Sequence, residues 1–151
     1  MSGSQQLLIA GNLSFVAALM HVAIVFGGPN WYRWFGAGDK MALMAEQGSL
    51  FPTVVTLGIA AVLAICGLYA LSGANIIFRL PFLQTALCLI TFVYLFRGVA
   101  GLVLPFISSH PAIAQNTITF WIVSSLVCCV FGAFHLFGTI NSWSHLATRG
   151  I

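Results

Sequence analysis

Seven charged residues punctuate this chain, and the gaps between them constrain its fold more than any other feature. Residues 1–32, 47–78, 80–96 and 98–148 contain no Asp, Glu, Lys or Arg. A helix of about 20 apolar residues spans the hydrocarbon core of a bilayer, and every one of these runs is near that length or longer. Backbone polar groups have no water partner in lipid, so a crossing segment is a helix or belongs to a closed barrel. The runs are too long and too evenly apolar for the alternating strands of a barrel. They predict four transmembrane helices, over 7–27, 51–72, 81–104 and 118–140.

Composition points the same way. With 60% hydrophobic and 5% charged residues, the chain lacks the roughly 25% charge that solvates a soluble domain. The net charge of +3 is scattered, whereas nucleic acid requires a clustered basic face. The expected fold is an all-α integral membrane protein. It is an antiparallel four-transmembrane-helix bundle forming one domain over 1–151, and its partners are membrane lipids, not nucleic acid. The opening "MSGSQQ" has no basic region, and the apolar run behind it exceeds a signal-peptide core, so the first segment is expected to be retained.

The connections are unequal. Residues 28–50 form a long link containing "GGPNWYRWFGAGDK". Gly27, Gly28 and Pro29 break the first helix. Trp31, Tyr32, Trp34 and Phe35 suit the head-group layer, and Arg33 suits lipid phosphates. "DKMALMAEQG" then predicts a short amphipathic helix, N-capped by Asp39, ended by Gly48, and lying at the interface within an interfacial segment 30–48. Arg33 and Lys40 stand on this side, Arg79 and Arg149 on the other. The acids Asp39 and Glu46 offset the first pair, and the N-terminal amine adds to the second. This balance places both termini in the cytoplasm, with a bacterial inner membrane as the expected location.

Internal similarity suggests a duplicated two-helix hairpin. His21 precedes Pro29 by eight residues, and Arg97 precedes Pro105 by eight; Gly67–Gly73 and Gly132–Gly138 share the form Gly-x-aromatic-x-Leu-x-Gly. Two-span repeats share orientation, so a pseudo-twofold axis would run along the membrane normal. On the first helix Gly11, Ser14 and Ala18 lead to His21. On the third, Thr91, Tyr94, Arg97 and Gly101 form a similar stripe, and the two stripes are expected to face each other.

Arg97 is the sharpest chemical signal. A cation inside a span costs about 2.5–3.5 kcal/mol, so it faces the bundle interior or a partner. It either snorkels or holds a structural ion pair, or it meets an anionic ligand; Asp39 and Glu46 are the available counterions. His21 either bonds a carbonyl or Tyr94, or exchanges protons beside Arg97. His21 and His135 differ in depth by about 15 Å at 1.5 Å per residue, so they cannot clamp one haem, and His135 is expected beside Tyr69.

The four cysteines, Cys66, Cys88, Cys128 and Cys129, all lie in spans with no CxxC. They predict hydrophobic filler and neither disulfide nor zinc. No metal or cofactor is expected. No span holds an Asp or Glu, which excludes a carboxylate-coupled cation exporter.

The sequence therefore supports a small membrane protein that binds or moves an amphipathic, lipid-like ligand in a pocket under the 28–50 loop. The lining residues would be His21, Tyr94, Arg97, His110, Trp31, Arg33 and Glu46. Two alternatives stand beside it. One is an accessory subunit whose small-residue faces, with Gly58 and Ala61, build helix-packed homo-oligomers. The other is an enzyme using His21 as acid/base and Arg97 as anion clamp.

Overall fold

The computed structural model describes residues 1–114 and 116–148; their regular structure is all helical, with no strand among them. The order is α1 (Gly3–Gly27), α2 (Pro29–Trp34), α3 (Asp39–Glu46), α4 (Phe51–Gly73), α5 (Leu83–Ile107), α6 (Pro111–Ala114), α7 (Ile118–Asn141) and α8 (Trp143–Thr148). Helices α1, α4, α5 and α7 are each long and apolar enough to cross a membrane.

Local chemistry moves the helix ends away from the limits of hydropathy. α1 begins four residues earlier than its apolar run because Ser2 and Gln5 form a reciprocal capping box, which satisfies two otherwise orphaned N–H groups. It stops at Gly28, whose φ of 69° suits a residue without Cβ, and Pro29 opens α2. Phe82 takes a left-handed φ of 52° and delays α5 to Leu83. Pro105 sits inside the last turn of α5, which continues to Ile107. The expected N-cap of α3 shifts by one residue. Gly38 occupies the cap with φ 90°, and Asp39 is the first helical residue, where its carboxylate favours the helix dipole and reaches sideways. Gly48, with φ 76°, closes α3 as expected, and Ser49 N donates to Met44 O.

The long helices run antiparallel. α1 packs closely on α4, α5 on α7, and α1 also on α7, while α4 and α5 touch more sparsely. Small residues set the spacing. A Cβ at Gly67 would meet the Phe15 ring at 2.9 Å, and one at Gly138 would meet the Leu7 backbone nitrogen at 3.0 Å. The α5–α7 hairpin uses Gly98 and Gly132 in the same way, against Cys129 and Leu95. The two hairpins do not interlock in the same register, however. Aligned on the Pro29/Pro105 match, Leu95 falls at the position of Leu19, whereas Gly67 seats Phe15, one turn away.

Two apolar clusters close the ends. Leu7, Ala74, Leu83, Leu87 and Leu146 pack where α1 and α5 begin beside α8, and Ile24 packs with Tyr32 of α2 and Ala42 of α3. Most of each long helix faces outward, since only 22–28% of its most apolar window is buried. That leaves large side chains such as Phe26, Phe92, Phe96 and Phe137 more than half exposed.

Candidate functional site

Arg97 is built into the seam between α5 and α7. Its Nη1 donates to Ser125 Oγ and its Nη2 to Ser124 Oγ, each at 3.3 Å. Its Cζ lies 4.9 Å from the centroid of the Trp121 ring, within the range at which an aromatic face attracts a cation. Gly101, one turn along α5, makes room for this arrangement: a Cβ there would collide with both Ser125 Oγ and Arg97 Nη1. The half-buried guanidinium thus has two hydroxyls and an indole around it and no carboxylate among the described residues. Three of its five N–H groups make no hydrogen bond there.

The acids are engaged elsewhere. Arg33 Nε meets Asp39 Oδ1 at 3.3 Å, and Arg33 Nη1 meets Glu46 Oε1 at 2.8 Å, so neither acid serves as the counterion of Arg97. One cation therefore ties α2 to both ends of α3. The hydrogen bond from Arg33, and then its charge, hold the Glu46 carboxyl below the usual carboxylate range, and the same contact raises Arg33. Below this clamp Tyr32 is 2% exposed, with its hydroxyl unpartnered among the described residues.

The aromatic loop reaches Arg97 by packing instead of by charge. Gly36 lies so close to the Phe120 ring that a Cβ would overlap it, and Gly27 is likewise covered by the Trp31 ring. Phe120 neighbours Trp121, whose Nε1 donates to Ile113 O of α6 at 3.1 Å. The connection runs from the α2–α3 turn through Phe120 and Trp121 to the guanidinium.

The residues expected to share one pocket separate into several places. Tyr94 lies at the centre, where its hydroxyl meets Ser14 Oγ at 3.1 Å. Its ring stands 5.5 Å from Phe131 and 5.2 Å from His135. The stripes of α1 and α5 therefore do face each other at Ser14 and Tyr94. His21 does not join them: its Nδ1 donates to the Ala17 carbonyl of its own helix at 2.7 Å. His110 is exposed ahead of α6, Trp31 packs on Gly27, and Arg33 and Glu46 form the clamp. Neither of the two cavities around Asn75 and His145 is lined by His21, Tyr94, Arg97 or His110. His135 is fully buried beside Tyr94 and not Tyr69, because the Tyr69 hydroxyl turns to the Pro81 carbonyl at 3.2 Å. His135 Nδ1 donates to Phe131 O at 2.9 Å; its Nε2, like Thr139 Oγ1 one turn on, has no partner among the described residues.

Ser124, Ser125 and Trp121 are the site residues that hydropathy passes over, while Gly101 already stands on the Arg97 stripe. The visible signal is a pair of adjacent hydroxyls just after a tryptophan within an apolar span. Groups of three or more His, Cys, Asp or Glu side chains that could hold a metal are absent among the described residues, and Cys66, Cys88, Cys128 and Cys129 form no disulfide there. Two cavities lie at the opposite end of the bundle, around Asn75 and His145. Arg149 falls outside the described residues. No family model, curated protein or solved structure matches the chain.

Proposed function

We propose that this chain is an integral membrane protein, a four-span antiparallel bundle, that binds a small amphipathic molecule through an anionic head group at Arg97. Membrane insertion is supported by the outward apolar surface, which water does not tolerate on this scale. The observation that carries the ligand reading is the half-buried guanidinium whose partners among the described residues are all neutral. A membrane-depth cation is normally neutralised, and a carboxylate or phosphate head would supply the missing charge at the α5–α7 seam. The 28–50 loop, packed on Phe120, then acts as the brace of that seam. The Lys/Arg count is even, with Arg33 and Lys40 on the loop side and Arg79 and Arg149 on the other, and the N-terminal amine tips the reading towards cytoplasmic termini.

Mass spectrometry of gently extracted protein tests the ligand reading. The wild type is expected to carry an anionic amphiphile, and Arg97→Gln to lose it while keeping the same elution volume. Gly101→Ala is expected to weaken retention by about tenfold, the worth of one charge-assisted hydrogen bond. Full retention of the amphiphile by Arg97→Gln would sink the reading.

A second reading is favoured by the outer face of α4. A Cβ at Gly58 would meet open space, and Ala61 beside it is exposed, a small-residue strip of the kind another membrane helix packs against. Gly58→Leu would disperse such an assembly in crosslinking without changing the fold. The enzyme reading gains nothing from the geometry, because His21 is bonded within α1 and Arg97 turns to α7.

A further inference from the structure

The end of the bundle away from the aromatic loop carries chemistry that Arg97 does not use. Two cavities of about 110 and 220 Å³ lie there and share Asn75 and His145 in their walls. Each has several times the volume of one water, about 30 Å³. The first opens between the α4–α5 turn and α8, beside Arg79; the second lies between the start of α1 and the α7–α8 junction, beside Ser2 and Asn141.

The walls are fixed by bonds within the chain. Ser4 Oγ donates to Ala74 O at 2.8 Å, and Asn141 Nδ2 donates to Gln6 Oε1 at 2.9 Å. Ser72 Oγ spans the turn, accepting from Leu80 N at 2.9 Å and donating to Phe78 O at 3.1 Å. α8 is anchored by Leu146, which is 2% exposed in the apolar cluster, and Arg79 Nη2 donates to the Leu146 carbonyl. That bond sets the guanidinium against α8 and leaves its remaining N–H groups unspent. Asn75 is held in the left-handed region at φ 61°, so its amide is presented by a rigid turn. Both acidic side chains of the chain, Asp39 and Glu46, are at the far end with Arg33.

The cup therefore offers a guanidinium, an imidazole, an amide and hydroxyls, with no carboxylate side chain opposing them. Arg and its neighbours in this form match the oxygens of a phosphate group. We propose that the Arg79–Asn75–His145 cup binds phosphate, either as the free ion or as the head group of an anionic phospholipid at the membrane face. It shares no residue with the Arg97 seam and stands or falls separately.

The test reads the cup itself, in the full chain labelled at histidine and assigned by comparison with His145→Gln. Inorganic phosphate is titrated into detergent-solubilised protein, and nanodiscs of phosphatidylglycerol are compared with nanodiscs of phosphatidylcholine. A saturable shift of the His145 ring resonance is expected, with His21 and His135 unmoved. A response to inorganic phosphate identifies the free ion, and a response confined to phosphatidylglycerol identifies the head group. Arg79→Gln is expected to weaken the response by about tenfold. Asn75→Gly, which keeps the left-handed turn and removes the amide, should weaken it similarly and guards against misfolding of the arginine variant. The proposal is overturned if neither probe moves His145 beyond chloride at equal ionic strength, or if both variants respond as the wild type does.

Discussion

At the scale of single residues, polar side chains inside the bundle fall into satisfied and unsatisfied sets. Ser14 and Tyr94 satisfy each other across α1 and α5, whereas Thr139 Oγ1 is buried without a partner among the described residues. Interhelical hydrogen bonds in membranes contribute modestly, and a stranded polar atom costs more than a removed pair. Ser14→Ala is therefore expected to lower stability by about 1 kcal/mol, read by reversible unfolding in mixed micelles. Thr139→Val, which removes an unsatisfied hydroxyl at nearly constant shape, should be neutral or stabilising. A loss for Thr139→Val equal to that for Ser14→Ala would mean that the threonine has a bonding partner. Arg97 was conspicuous in the sequence because charge is so rare there. Its partners were not, because a serine in a span reads the same whether it bonds its own helix or a neighbour's arginine.

Among the described elements, α2 and α3 are held together by an ion cluster centred on Arg33. Its sign follows from Glu46, whose carboxyl the Arg33 hydrogen bond lowers. The clamp is fully present above the ordinary carboxylate range and is lost as pH falls through the lowered value of the folded state. Both partners are solvent-accessible, so the contribution to global stability is small and the effect belongs to local opening. Hydrogen-exchange protection of residues 39–46, corrected for the intrinsic rate, should fall on acidification. Glu46→Gln should show the reduced protection already at neutral pH. A wild-type acid response in Glu46→Gln would assign the switch to another group. Element boundaries were legible where backbone chemistry is local. Gly48 ends α3, and the glycines and Pro29 end α1, because positive φ and a missing N–H act within a few residues. The start of α5 was not, since nothing about phenylalanine announces the left-handed conformation of Phe82.

For the whole molecule, the proposed four-span topology predicts that the chain returns to the side on which it began, because each of its four long helices is long and apolar enough to cross. In a cysteine-free background, Ser2→Cys should react with an impermeant maleimide from one side of sealed vesicles and Lys40→Cys from the other. Labelling of both from the same side would refute the four-span topology. The sequence by itself determined the number of long helices, their approximate limits and the apolar character of their surface. Each of these depends on the free energy of transferring consecutive residues out of water, which is additive along the chain. It also marked Arg97 as expensive. The tertiary structure alone decided what Arg97 touches, because rotation about the helix axis and interhelical register are fixed by packing at glycines such as Gly98 and Gly101. The same packing sent both acids to Arg33, set Tyr94 against Ser14 and His135, and opened the polar cup at the far end. The aromatic loop that stands out in the sequence is pinned by one ion cluster and by Gly36 on Phe120.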